Sequence, residues 1–276
     1  LIEFVDKNPV GSYPQNQIRL NTLERLPLAE FPCPAYHLVD LNSYLVTAMQ
    51  FSSGCPYTCE FCDIPALYGR NPRLKPIEKI LHELDILKQT GHFGSIYFVD
   101  DNFIANQKAA KDLLPALVQW QKENNYPFDF GMEATINLAK RTDILEAMKE
   151  AYVTDCYFGI ESPEENTLKN IDKKQNLGMP LVDALNKVRS YGIEALAGVI
   201  LGFDSDTEKT EQCLLKFIDE CNCPLIAVNL LFALPKTPLW DSLPMEKRLL
   251  PNEEAYHTNI RSKMPNETVL AMWRNC

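Results

Sequence analysis

Three cysteines, Cys55, Cys59 and Cys62, fall within eight residues in the stretch SSGCPYTCEFC (Ser52–Cys62). The spacing C-x3-C-x2-C lets one short loop offer three thiolates to a single inorganic centre, and Gly54 permits close approach of the backbone. A closed structural zinc site takes four protein ligands, normally as two C-x2-C pairs. Here no fourth ligand is near: Cys33 and Cys156 are distant in sequence, and His82 falls in the following helical segment. Three thiolates on a four-iron cluster leave one iron open to an outside ligand, which suits chemistry better than structural support. Zinc, or a cluster used only structurally, is the competing reading. The remaining six cysteines, including Cys221 and Cys223, read as small buried hydrophobes. No Ser-His-Asp set or phosphate-cradling glycine loop stands out, and His37 and His257 lie in proline-rich loops.

The elements that must position this loop repeat along the chain. Tyr44–Phe51, Ser95–Val99, Phe128–Ile136, Cys156–Ile160, Ala195–Leu201 and Leu225–Phe232 are short apolar or alternating runs of strand character. Between them, Pro76–Thr90, Asn106–Glu123, Thr142–Glu150, Pro180–Tyr191 and a segment from Asp206 or Thr207 to Glu220 carry apolar residues at helical spacing. Six strands alternating with helices imply an α/β fold with a parallel sheet. Six units are too few for a closed eight-unit barrel, so an open six-unit barrel and a doubly wound sheet both fit. The cysteine loop directly follows the first strand.

The 276 residues include 27 Lys+Arg and 37 Asp+Glu, a formal charge of −10. That acidic balance argues against a general nucleic-acid binder. No apolar run approaches the roughly 18 residues of a membrane span. Nine cysteines in a chain of this size, an odd number with no secretory signal at the start, argue for metal or redox use over a disulfide scaffold.

The cysteine triad, with Phe61 just before its third member, resembles that of the radical S-adenosylmethionine (SAM) superfamily. The resemblance implies a partial TIM barrel of about six β/α units. It also implies a 4Fe–4S cluster whose open iron chelates SAM, and reductive cleavage to a 5′-deoxyadenosyl radical that abstracts hydrogen from an unactivated carbon. Gln50–Pro65 (QFSSGCPYTCEFCDIP), Tyr68–Arg73 (YGRNPR), Tyr97–Asn102 (YFVDDN) and Leu234–Trp240 (LPKTPLW) extend the match. Over most of residues 30–240 the chain resembles the cobalamin-dependent class, and within it the hopanoid C-2 methylase family and related C-methylases. The implied reaction is C-methylation. Another radical SAM reaction without cobalamin, such as methylthiolation, and a non-catalytic metal-binding protein are the alternatives.

In barrels, functional groups project from the carboxyl ends of the strands. On that basis the resemblance assigns Asp100 and Asp101 to the SAM amino group, with a helix cap as the alternative, and Glu133 and Glu161 to ribose hydroxyls or SAM orientation, with buried ion pairs to Arg or Lys as the alternative. Gly198 and Gly202 would flank adenine, with Phe61 and Tyr57 as aromatic contacts. Arg70, Arg73 and Lys236 are candidates for anionic cofactor groups or solvated faces. No catalytic residue is assigned. Residues 1–43, broken by Pro9, Pro14, Pro27, Pro32 and Pro34, read as a linker from an N-terminal, cobalamin-binding domain lying outside the chain. An extension packed on the domain surface is the alternative for that segment. Residues 44–240 read as the barrel and 241–276 as the start of a further, truncated domain. The implied partners are a small-molecule or lipid substrate and an electron donor such as flavodoxin or ferredoxin. The implied location is the cytoplasm.

Overall fold

In the computed structural model, which describes residues 25–92, 94–251 and 257–276, the strands form one parallel sheet. Its members are β1 (Val46–Met49), β4 (Gly94–Phe98), β5 (Phe128–Ala134), β6 (Val153–Glu161), β7 (Glu194–Leu201) and β8 (Ile226–Leu230). They pair in sequence order, each parallel to the last, with β1 and β8 as the outer strands among the described residues. A run of parallel strands in chain order is six staves of a barrel; a doubly wound sheet would reverse direction partway. The open six-unit barrel is therefore the fold.

The crossovers are α2 (Ile77–Gln89), α3 (Gln107–Asn124), α4 (Thr142–Glu150), α6 (Leu181–Arg189) and α7 (Thr210–Cys221), with shorter helices α1 (Ile64–Leu67), α5 (Glu165–Asn170) and α8 (Pro238–Ser242) in loops. Each long helix buries one stripe: Ile80, Leu84 and Leu87 on α2 are fully buried, as are Leu113, Leu114 and Leu117 on α3. Each such side chain contributes about 1.5–3 kcal/mol of burial. Asn106 starts α3 by accepting from the Ala109 amide at 3.1 Å. These helix faces, together with Phe98, Phe130, Phe158 and Val199 from the strands, make one continuous core.

One departure from the sequence expectation bears directly on the site. The first strand ends at Met49 instead of Phe51, because the buried Asp100 carboxylate draws the amides of Phe51 and Ser52 out of the ladder. The chain then forms β2 (Ser52–Ser53), which pairs antiparallel with β3 (Arg73–Leu74), so a small hairpin closes on either side of the cysteine loop. Residues 25–43 are a packed surface segment: Leu28, Tyr36 and Leu41 are buried, and Arg25 donates to the Leu67 and Ala66 carbonyls at 2.9 Å. The remainder of the expected linker, residues 1–24, lies outside the described residues. At the other end, α9 (Asn266–Asn275) packs against the barrel. Val269 and Met272 enter the main core, and Trp273 Nε1 donates to the Val228 carbonyl at 2.8 Å.

Candidate active site

At the carboxyl ends of the strands a cavity of about 270 Å³ opens, and Cys55, Cys59 and Cys62 all line it. The loop carrying them is held from three sides. Gly54 N donates to Asp101 Oδ2 at 2.7 Å, and Cys55 N to the Gly69 carbonyl at 3.1 Å. On the far side, Glu60 N donates to the Ile171 carbonyl at 3.3 Å and Thr58 Oγ1 to Asp172 at 2.6 Å. Gly54 has φ +108°, and a Cβ there would stand 2.7 Å from the Gly69 carbonyl oxygen, so only glycine fits this turn.

The donor set suits a cluster. Three cysteine thiols line a single cavity, and thiolates are the ligands an iron–sulfur cluster takes. Burial pushes the Cys62 thiol up to about 12 and raises Cys55 as well. A cationic metal centre reverses that preference by binding the thiolate. Gln175 lines the cavity with its Nε2 3.5 Å from Cys59 Sγ and its Oε1 buried without a partner. A buried acceptor of this kind calls for a bound donor.

The electrostatics suit a cationic ligand. Asp101, Glu133 and Glu161 face the cavity, against one cation, Lys173. Burial raises both Asp101 and Glu133, and the Asp101 carboxylate raises Glu133 further. A sulfonium or ammonium group relieves that cost. Glu161 is already paired, with Lys173 Nζ at 2.7 Å.

Of the residues singled out from sequence, Cys55, Cys59, Cys62, Tyr57, Phe61, Asp101, Glu133, Glu161 and Gly198 come together around this cavity. Tyr57 Oη accepts from Asn137 at 3.0 Å, and the Phe61 ring lies 6.0 Å from that of Phe203, forming part of the wall. A Cβ on Gly198 would meet the Tyr157 ring at Cζ, 2.9 Å away; the missing side chain is what lets Tyr157 lie across the strand.

Two of the expected residues lie elsewhere. Asp100 is 1% exposed and turned into the wall, where it anchors Phe51 and Ser52; burial pushes its carboxyl up to about 6. It supports the loop and does not face the cavity. Gly202 lies past the end of β7, against Leu231 and Val269, and its amide donates to Asp206 at 2.7 Å. Arg70 and Arg73 also stay outside, bonded to the Pro56 carbonyl and to the Leu26 carbonyl and Ser53. Lys236 is exposed.

Tyr157, Lys173 and Gln175 line the cavity without having been singled out. Tyr157 could have been found by its inward alternation with Gly159 on β6. Lys173 and Gln175 follow strand six of the eight in a loop whose return to the cysteines has no local signature.

An open parallel barrel with a thiol-lined, carboxylate-bearing cavity at its carboxyl end is the frame of a cofactor-dependent enzyme. The pattern of the Radical SAM superfamily matches residues 49–218, and the chain belongs to that superfamily. Membership brings with it the 4Fe–4S cluster and SAM. The chain is 49% identical to the hopanoid C-2 methylase of Rhodopseudomonas palustris over 95% of its own length and 50% of the relative's. It is 38% identical to an uncharacterized methyltransferase of Synechocystis over 91% of its length and 48% of that protein. It thus spans about half the length of these curated relatives. Among solved structures, the radical SAM methyltransferase TsrM of Kitasatospora setae, with cobalamin and a [4Fe–4S] cluster bound, superposes with a TM-score of 0.65 at 18% identity. That overlap covers 75% of this chain and 42% of that one, and it shows a shared fold. Among the described residues no helix is long and apolar enough to cross a membrane.

Proposed function

We propose that this chain is the radical-generating part of a C-methylase that acts on a polycyclic lipid of the hopanoid type, with cobalamin as methyl carrier. The observation that carries the reading is the 49% identity to a hopanoid C-2 methylase along 95% of the chain, cysteine loop and cavity included. When bound, the cluster and SAM supply one-electron chemistry able to take hydrogen from an unactivated carbon.

In this reading Cys55, Cys59 and Cys62 hold the cluster as thiolates. Asp101 and Glu133 receive the cationic amino end of SAM, and Glu161 accepts hydrogen bonds from its hydroxyls. Tyr57, Phe61 and Tyr157 form the aromatic part of the wall and keep water from the reacting atoms. Arg70 and Lys236, on the exposed side, play no part in SAM binding. A small one-electron protein such as flavodoxin or ferredoxin supplies the electron, and the reaction runs in the cytoplasm.

The test is direct. The chain, joined to the cobalamin-binding domain proposed to accompany it, is purified without oxygen, reconstituted with iron and sulfide, and given SAM, methylcobalamin, a reductant and a hopanoid. A lipid product bearing one additional methyl group is expected. SAM cleavage with no methylated lipid, across hopanoids with and without a polar side chain, would overturn the substrate assignment.

A further inference from the structure

Lys173 is the one cation among the residues lining the thiol cavity, and it is buried with Glu161, each side chain 10% exposed. The pair has an unusual setting. Glu161 takes a left-handed backbone conformation, φ +65°, where the pairing of β6 with β7 slips register. Its carboxylate would collide with a Cβ on Gly159, and Lys173 Nζ would stand 3.1 Å from that Cβ. Strain of this kind persists where the surroundings hold it in place. Holding it here are the Asn176 side chain, which donates to the carbonyls of Gly159 and Ile160 at 2.9 and 3.0 Å, and the Lys173 amide, bonded to the Leu168 carbonyl at 2.8 Å.

The loop carrying Lys173 is also fastened to the cysteine loop, through Ile171 to Glu60, Asp172 to Thr58, and Gln175 to Cys59 Sγ. The Lys173 ammonium faces the Glu161 carboxylate at 2.7 Å in the same cavity that the three cysteines line. The charge is therefore a fixed feature of the cavity.

We propose that residues 173–175 set the reduction potential of the cluster held by the cysteine loop. Lys173 supplies positive charge and positions Glu161, and Gln175 donates a hydrogen bond to the Cys59 sulfur. Reduction adds negative charge to the cluster, so a nearby cation and an N–H donor to sulfur both favour the reduced form and raise the potential. Lys173 is a positioning residue in this account. The inference rests on the cluster reading given above and is independent of the methylation substrate.

The test is an EPR-monitored redox titration of the reconstituted protein, without SAM or lipid. Lys173→Met and Gln175→Leu shift the midpoint to more negative potential, whereas Glu161→Gln, which leaves the lysine uncompensated, shifts it to more positive potential. The paired Lys173→Met/Glu161→Gln variant returns close to wild type, and Lys173→Arg stays there. Gln175→Leu orphans no buried charge, so it carries the test even if Lys173→Met fails to fold. Opposite shifts from Lys173 and Glu161 exclude a merely structural role, which would move both the same way. Unchanged potentials in Lys173→Met and Gln175→Leu, or same-direction shifts from Lys173 and Glu161, overturn the proposal. A wild-type chain that assembles no cluster overturns the cluster reading instead.

Discussion

Substituting Gly54 by alanine strikes the cysteine loop without touching a thiol. At φ +108° an alanine is strained by about 1–3 kcal/mol. Its Cβ would also lie 2.7 Å from the Gly69 carbonyl oxygen and 3.2 Å from that of Tyr68. Backbone cannot swing aside as a side-chain tip can, so the Gly69 peptide must move and the Cys55 N–H bond to it is lost, a further 0.5–1.5 kcal/mol or so. The expected loss is about 2–4 kcal/mol, measured by urea denaturation of the cluster-free chain. Because Cys55 follows the altered residue directly, iron per chain after reconstitution falls as well. Gly91→Ala is the control: its φ is +77° but nothing lies within 4 Å of the added atom, so it costs about 1–2 kcal/mol and leaves iron content unchanged. A Gly54→Ala chain as stable as wild type and fully loaded with iron would refute the reasoning.

Three other outcomes are expected. Lys75→Met strands Glu83, 2% exposed and paired at 2.9 Å, and costs about 3–5 kcal/mol, while Lys75→Met/Glu83→Leu recovers most of it; denaturation of the three chains checks this. Asp100 has its carboxyl raised from 3.8 to about 6, so the folded chain holds a proton that the unfolded chain releases. Its contribution is fully present below about pH 4 and is lost as pH rises through 6, about 3 kcal/mol in all, and Asp100→Asn abolishes that slope in cluster-free denaturation at stepped pH. Gly198→Ala pushes the Tyr157 ring into the cavity and weakens SAM binding about tenfold, read by equilibrium dialysis, while the fold loses little because the displaced group is a side-chain tip.

Much of the barrel was legible because helix and strand periods differ. Leu84 and Leu87 at helical spacing and the apolar run ending at Leu201 mark their elements without reference to one another. The short turns were less so. β2 and β3 span two residues each, too few for any period, and their pairing depends on Asp100, nearly fifty residues away. The same distance explains why Asp100 and Asp101 could not be told apart. Neighbours on an extended segment face opposite ways, and only the folded loop shows that Asp101 faces the cavity while Asp100 braces its wall. Gly198 and Gly202 differ for a similar reason: four residues separate a site inside the barrel from a turn packed on Leu231. Lys173 and Gln175 were not legible at all, since their roles come from a loop that folds back onto cysteines more than a hundred residues earlier.

The central claim is that Cys55, Cys59 and Cys62 hold a cluster with one iron open to SAM. It is tested most directly by EPR of the anaerobically reconstituted, dithionite-reduced protein before and after SAM is added. A reduced four-iron signal that changes on SAM addition, and is absent when all three cysteines are replaced by alanine, is the predicted result. A signal indifferent to SAM, or one that survives loss of the three cysteines, would contradict the account.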